Sequence, residues 1–131
     1  VMMNLHQYKF TRCPPEIGML RNLEELNLDQ NQLRHLPVEI GHLTKLKFLS
    51  LAENRLKELP DTIGNLVLLE IFYLQNNLLF EVPDEFAKLK SLESCHIHGN
   101  VLSLMPHDAP KEDGVELRDY VRDKVDRQAA C

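Results

Sequence analysis

Two imidazoles in His96-Ile97-His98 and three thiols, Cys13, Cys95 and Cys131, are the groups in this 131-residue chain that invite chemistry first. In an extended segment both imidazoles fall on one face, which is how a zinc or copper site can begin. A third and fourth ligand are needed to finish it. The nearest neighbours expected on that face, Tyr73 and Gln75, are poor ligands, and His6 lies far along the chain, so His96 and His98 read as solvated side chains, with no metal and no cofactor. The cysteines are odd in number and widely spaced, without a C-x-x-C pair, which favours reduced thiols. The chain holds no G-x-S-x-G, P-loop, H-E-x-x-H, EF-hand loop or G-x-G-x-x-G, and the expectation is a protein that is not an enzyme.

The elements that carry these groups repeat. Asn31, Asn54, Asn77 and Asn100 stand at a constant spacing of 23, and most of the chain's 24 leucines fall in register around them. Leu23, Leu26, Leu28, Leu33 and Leu36 recur as Leu46, Leu49, Leu51, Leu56 and Leu59, then as Leu69, Phe72, Leu74, Leu79 and Val82. Leu92, Cys95, Ile97, Leu102 and Met105 close the series. Apolar and polar residues alternate in Leu26-Asn27-Leu28 and Leu49-Ser50-Leu51, the mark of a half-buried strand. Pro37, Pro60 and Pro83 suit the first position of a short helical turn, and Ile-Gly pairs follow at Ile17, Ile40 and Ile63. One such unit cannot bury its own leucines, so units must stack and pair their strands in parallel. In that arrangement the repeated asparagine satisfies backbone groups where the chain leaves the strand, and Cys13 and Cys95 occupy apolar core positions.

The pattern LxxLxxLxLxxNxLxxLPxxIGx resembles the leucine-rich repeats, over residues 3–106. It is similar to their 23-residue intracellular class, found in Ras-pathway scaffolds, Scribble-type polarity proteins and plant intracellular Ras-group repeats. The resemblance implies an α/β leucine-rich repeat solenoid, with a curved parallel sheet on the concave side and short helical or 3₁₀ segments on the convex side. It also implies a cytoplasmic signalling or scaffolding adaptor that binds another protein.

A partial unit, 1–19, precedes units 20–42, 43–65, 66–88 and 89–106, and 107–131 is expected to form a C-terminal capping helix segment. Val115, Leu117, Tyr120, Val121 and Val125 give that helix its apolar stripe, while Arg118, Asp119, Arg122, Asp123 and Lys124 occupy the rest. At the other end the chain enters its first strand directly, with Val1 in first place. The uncapped edge from Met2 to Leu5 suggests a fragment of a longer array, self-association, or a structural subunit held in a larger assembly. Cys131 at the end raises a prenylated C-terminus, against the plainer reading of a chain boundary.

A net charge of −5 and pI near 5.6 disfavour nucleic acid as partner. A mean hydropathy of −0.29 with no long apolar run gives no membrane insertion, and no N-x-S/T sequon occurs. Numbering each unit from Leu23, Leu46, Leu69 or Leu92, positions three, five, seven and eight should face the concave side. These rows bring Phe48, Ile71 and Tyr73 into one apolar patch, with Glu25, Asp29 and Glu53 on one side and Gln75, His96 and His98 on the other. That patch is the expected partner-binding site. Arg34, Arg55, Lys57, Lys88 and Lys90 fall outside it, on the rim or back.

Overall fold

Residues 1–129 are described by a computed structural model. Position 131, where prenylation was considered for Cys131, lies outside them. Five three-residue strands, β1 (Met2–Asn4), β2 (Glu25–Asn27), β3 (Phe48–Ser50), β4 (Ile71–Tyr73) and β5 (Ser94–His96), form one parallel sheet in chain order. The register is the 23-residue step itself: Met2, Glu25, Phe48, Ile71 and Ser94 stand side by side. Hydrogen bonds such as Leu28 N–H to Ser50 O (2.8 Å) and Gln30 N–H to Ala52 O (2.9 Å) carry the pairing past the strands into the turn.

Opposite the sheet run four 3₁₀ turns, Pro15–Met19, Val38–His42, Asp61–Asn65 and Asp84–Lys88. Between the two layers the repeated leucines are sealed: Leu26, Leu33, Leu46, Leu49, Leu51 and Leu56 have no exposed surface. The prolines sit one residue earlier than expected. Pro37, Pro60 and Pro83 are N-caps in extended backbone, and only Pro15 occupies the first turn. A fixed φ near −70° serves the extended conformation equally well, and each cap carbonyl then accepts the first bond of the turn, as in Ile40 N–H to Pro37 O at 3.1 Å. The Ile-Gly pair follows from the tightness of this stacking. A Cβ on Gly41 would sit 2.8 Å from the Thr62 carbonyl of the next turn. Ala87 is tolerated at the matching position of the last turn, because a helix and not another turn packs there.

At the strand exits the asparagines behave as expected. Asn54 Nδ2 donates to Leu28 O (2.9 Å) in the preceding unit and to Leu51 O (3.0 Å) in its own, while Oδ1 accepts from Leu33 N–H (3.1 Å). Asn77 repeats the set with Leu51 O, Leu74 O and Leu56 N–H. One residue earlier the backbone turns left-handed in every unit, at Gln7, Gln30, Glu53, Asn76 and Gly99. Gly99 and Asn76 suit that conformation by residue type, whereas Gln7, Gln30 and Glu53 do not announce it.

The array ends on α1 (Gly114–Ala129), which packs on the last 3₁₀ turn and on β5. Leu117 and Val121 are buried, and Val115, Tyr120 and Val125 lie against the core. Arg118 departs from the expectation that it belongs to the solvated face. It is buried, with Nη1 donating to the carbonyls of Leu89 (2.9 Å) and Leu92 (3.3 Å) and Nη2 paired with Asp119 at 2.7 Å. A guanidinium with five donors thus ties the helix to the carbonyls that follow the last 3₁₀ turn. No helix among the described residues is long and apolar enough to cross a membrane.

Two outcomes follow. Asn54→Ala or Asn77→Ala leaves buried backbone groups unpaired and should lower stability by about 1–3 kcal/mol in urea melts. Unchanged midpoints would show that the amides are dispensable. Arg118→Ala should lower stability by about 2–3 kcal/mol and release α1, read as lost helical circular dichroism, because two buried carbonyls lose a charged donor.

Candidate functional site

The sheet face turned away from the core is built from rows that cross all five strands. In the third-position row Phe48 is paired with Ile71, and in the fifth Tyr73 is paired with His96. The Phe48 and Tyr73 rings meet edge to face at 5.8 Å, and Tyr73 stacks on His96 at 4.6 Å. His98 lies 6.0 Å from His96, so an aromatic ladder crosses the last three strands. Phe48, Ile71 and Tyr73 are each half-buried, and the predicted patch is continuous, though shallower than three free side chains would be. A groove lined in part by Met2, Glu25, Phe48, Glu70 and Ile71 runs along its edge.

Two residues expected to be presented on this face are not. Ser50 and Ala52 are buried, because Asp29 folds over them: its Oδ1 accepts from the Ser50 hydroxyl and from the Ala52 N–H at 2.8 Å. Half of the Asp29 carboxylate is thus engaged in holding two units together. Glu53 accepts from Gln30 Nε2 at 3.3 Å, whereas Glu25 is exposed and makes no side-chain bond among the described residues. Gln75 Oε1 is buried and lacks a donor among the described residues. His6 is far from the other histidines, with Nδ1 2.6 Å from Asn4 Oδ1.

Glu70 was not foreseen. The second position of each unit reads as core-facing by strand alternation, but the strand begins only at the third position, and Glu24 and Glu70 are left at the edge. Glu24 is already partnered, with Lys47 at 3.9 Å and the N-terminus at 3.4 Å. Glu25 and Glu70 are therefore the acids of this groove without an ion pair among the described residues, and Lys47 lines the same groove.

A leucine-rich repeat family profile matches residues 2–56. The chain is a leucine-rich repeat protein. Among solved structures it is similar to a leucine-rich repeat protein of Leptospira interrogans, with 31% identity over 75% of this chain and a TM-score of 0.67. It is also similar to the plant peptide hormone receptor RGFR1, solved in complex with RGF2, with 30% identity over 76% of this chain and a TM-score of 0.69. The BIR2 ectodomain of Arabidopsis thaliana, at 23% identity over 74% of this chain and a TM-score of 0.65, shares the fold. The chain spans 31%, 17% and 53% of these three proteins respectively. No curated protein matches the sequence.

Leucine-rich repeats generally serve as non-catalytic binding modules, and the thiols of this one are placed for packing. Cys13 and Cys95 are free and buried. Burial pushes the Cys13 thiol up to about 11. Burial does the same more strongly for Cys95, helped by Asp113 and opposed by Arg118. Both are protonated near neutrality and poor nucleophiles. In the unfolded chain Cys13 ionises first, near 9, so its contribution is complete below that pH and is lost as pH rises toward about 11. Stability should fall across that window by up to about 2 kcal/mol on this account. Cys13→Ala should show a shallower decline in urea midpoints measured across the same range, and identical slopes would contradict it.

Proposed function

We propose that this leucine-rich repeat chain is a non-catalytic adaptor that binds another protein on its concave face. The contact of Phe48 with Tyr73, beside Ile71 on the neighbouring strand, carries the reading. A parallel sheet holds without aromatic side chains on its open face, and apolar clusters rimmed by polar groups mark interaction sites. The unpartnered acids Glu25 and Glu70 at the rim favour a partner segment with an apolar anchor and a basic neighbour. A cytoplasmic scaffolding or signalling setting belongs to the same proposal. Its support is the resemblance to the intracellular repeat class, two unpaired thiols and the lack of a glycosylation sequon.

A second reading rests on the apolar groove at the N-terminal end, where Met3, Leu5, Phe10, Ile17 and Leu28 meet. There the chain is a structural subunit that self-associates or is held in an assembly through this edge. Light scattering over a concentration series separates the two, since a mass that stays monomeric at all concentrations rejects self-association.

For the concave site, Tyr73→Ala should weaken the natural partner by about 2 kcal/mol or more, while the protein stays folded and loses only about 1 kcal/mol of stability with its ring contacts. Lys90→Ala, outside the face, should be neutral, and added salt should slow association. Equal losses from both substitutions, measured by calorimetry on the purified complex, would remove the assignment.

A further inference from the structure

The flank of the solenoid, where the chain leaves the sheet for the 3₁₀ turns, carries a second patterned surface. In each unit positions ten, twelve and thirteen follow the buried asparagine. Over the first three units they supply Lys9, Arg12, Arg34, Arg55 and Lys57, all exposed and none in an ion pair among the described residues, together with His35 and one carboxylate, Glu58. A groove lined by Arg12, Arg34 and His35 without any carboxylate opens between the first two of these units. Five of the chain's 15 lysines and arginines thus gather on one strip of a protein whose net charge is −5.

Over the last two units the same positions turn largely apolar, with Glu81 and Ser103 the exceptions. Leu78, Phe80, Val101 and Leu104 are 41%, 36%, 46% and 66% exposed, more open than the half-buried concave patch. The strip is continuous, because Phe80 N–H donates to Lys57 O (3.2 Å) and Leu104 N–H to Phe80 O (3.0 Å), which stacks the apolar residues directly on the basic ones. Glu58, Asp61 and Glu81 border the apolar end on the side of the 3₁₀ turns.

We propose that this flank is a second docking surface, for a short acidic protein segment with apolar side chains at one end. Carboxylates would lie over Arg12, Arg34, Arg55 and Lys57, and the apolar end over Leu78, Phe80, Val101 and Leu104. Five units at about 4.8 Å give a track of roughly 20 Å, the span of six extended residues or about thirteen helical ones. Charge selects the occupant. The acidic rim of the concave face and the net charge disfavour an acidic segment there, whereas five cations face one carboxylate over the basic half of this strip. An anionic membrane would have to approach the apolar end, where Glu58, Asp61 and Glu81 oppose it.

The test is selection from a phage-displayed library of random dodecapeptides on the full chain, followed by fluorescence anisotropy with the enriched peptides made synthetically. The expected peptides are net negative and carry leucine, isoleucine, phenylalanine or tryptophan. Arg34→Glu combined with Arg55→Glu, and Leu104→Ser alone, should each weaken them at least about tenfold. These exposed positions leave the urea midpoint unchanged, which is measured alongside. Tyr73→Ala should leave their affinity within about twofold, so failure of the concave site and failure of this one are distinguishable. Enrichment of neutral or basic peptides, or of none, overturns the proposal. So does equal affinity for the flank variants. Sedimentation of the chain with phosphatidylserine vesicles, or self-association abolished by Arg55→Glu, in place of peptide binding, assigns the strip to a membrane or a second copy and also overturns it.

Discussion

A chain that turns out of a strand every 23 residues leaves buried carbonyls and amides beyond the reach of any sheet ladder, and the side-chain amide of one asparagine per unit resolves this. Because Asn54 bonds to Leu28 and Leu33 of the unit before as well as to Leu51 of its own, the amide fixes the stacking as well as the turn. Parallel pairing, a sealed leucine core and the close approach of the 3₁₀ turns all presuppose that fixed step. A single unit lacks it, which is why stability here is a property of neighbours.

Strict register has a functional consequence. Any position of the unit becomes a row of side chains across the molecule, spaced by the sheet, and the fold is indifferent to what the outward rows contain. Two of the rows have diverged in opposite senses. The concave rows collect aromatic residues with acids at the edge, while the flank rows run from cationic to apolar. Both surfaces rest on a leucine core that closes without the aromatic rings of the concave face or the cations of the flank.

Much of this was legible before any coordinates. The leucine period gave the core and the register, since a parallel sheet built of equal units has one way to align them, and Phe48, Ile71 and Tyr73 fall together as their positions require. What the residues concealed were local exceptions with physical causes. Ser50 and Ala52 are small, and the longer Asp29 covers them. Arg118 looks like one more surface cation until the buried carbonyls of Leu89 and Leu92 are seen beneath it. The left-handed turn at Gln30 and Glu53 leaves no trace in residue type, because the stacked units impose it on whatever side chain stands there.

Site-specific photo-cross-linking tests the central claim, that recognition is carried by the concave row, most directly. Benzoylphenylalanine replaces Phe48 or Tyr73 on the concave face, or Val38 on the exposed 3₁₀ turn behind it, in the protein expressed in its own cells. The account predicts one protein adduct common to positions 48 and 73 and absent from position 38. An adduct that forms from position 38 alone, or equally from all three, would contradict it.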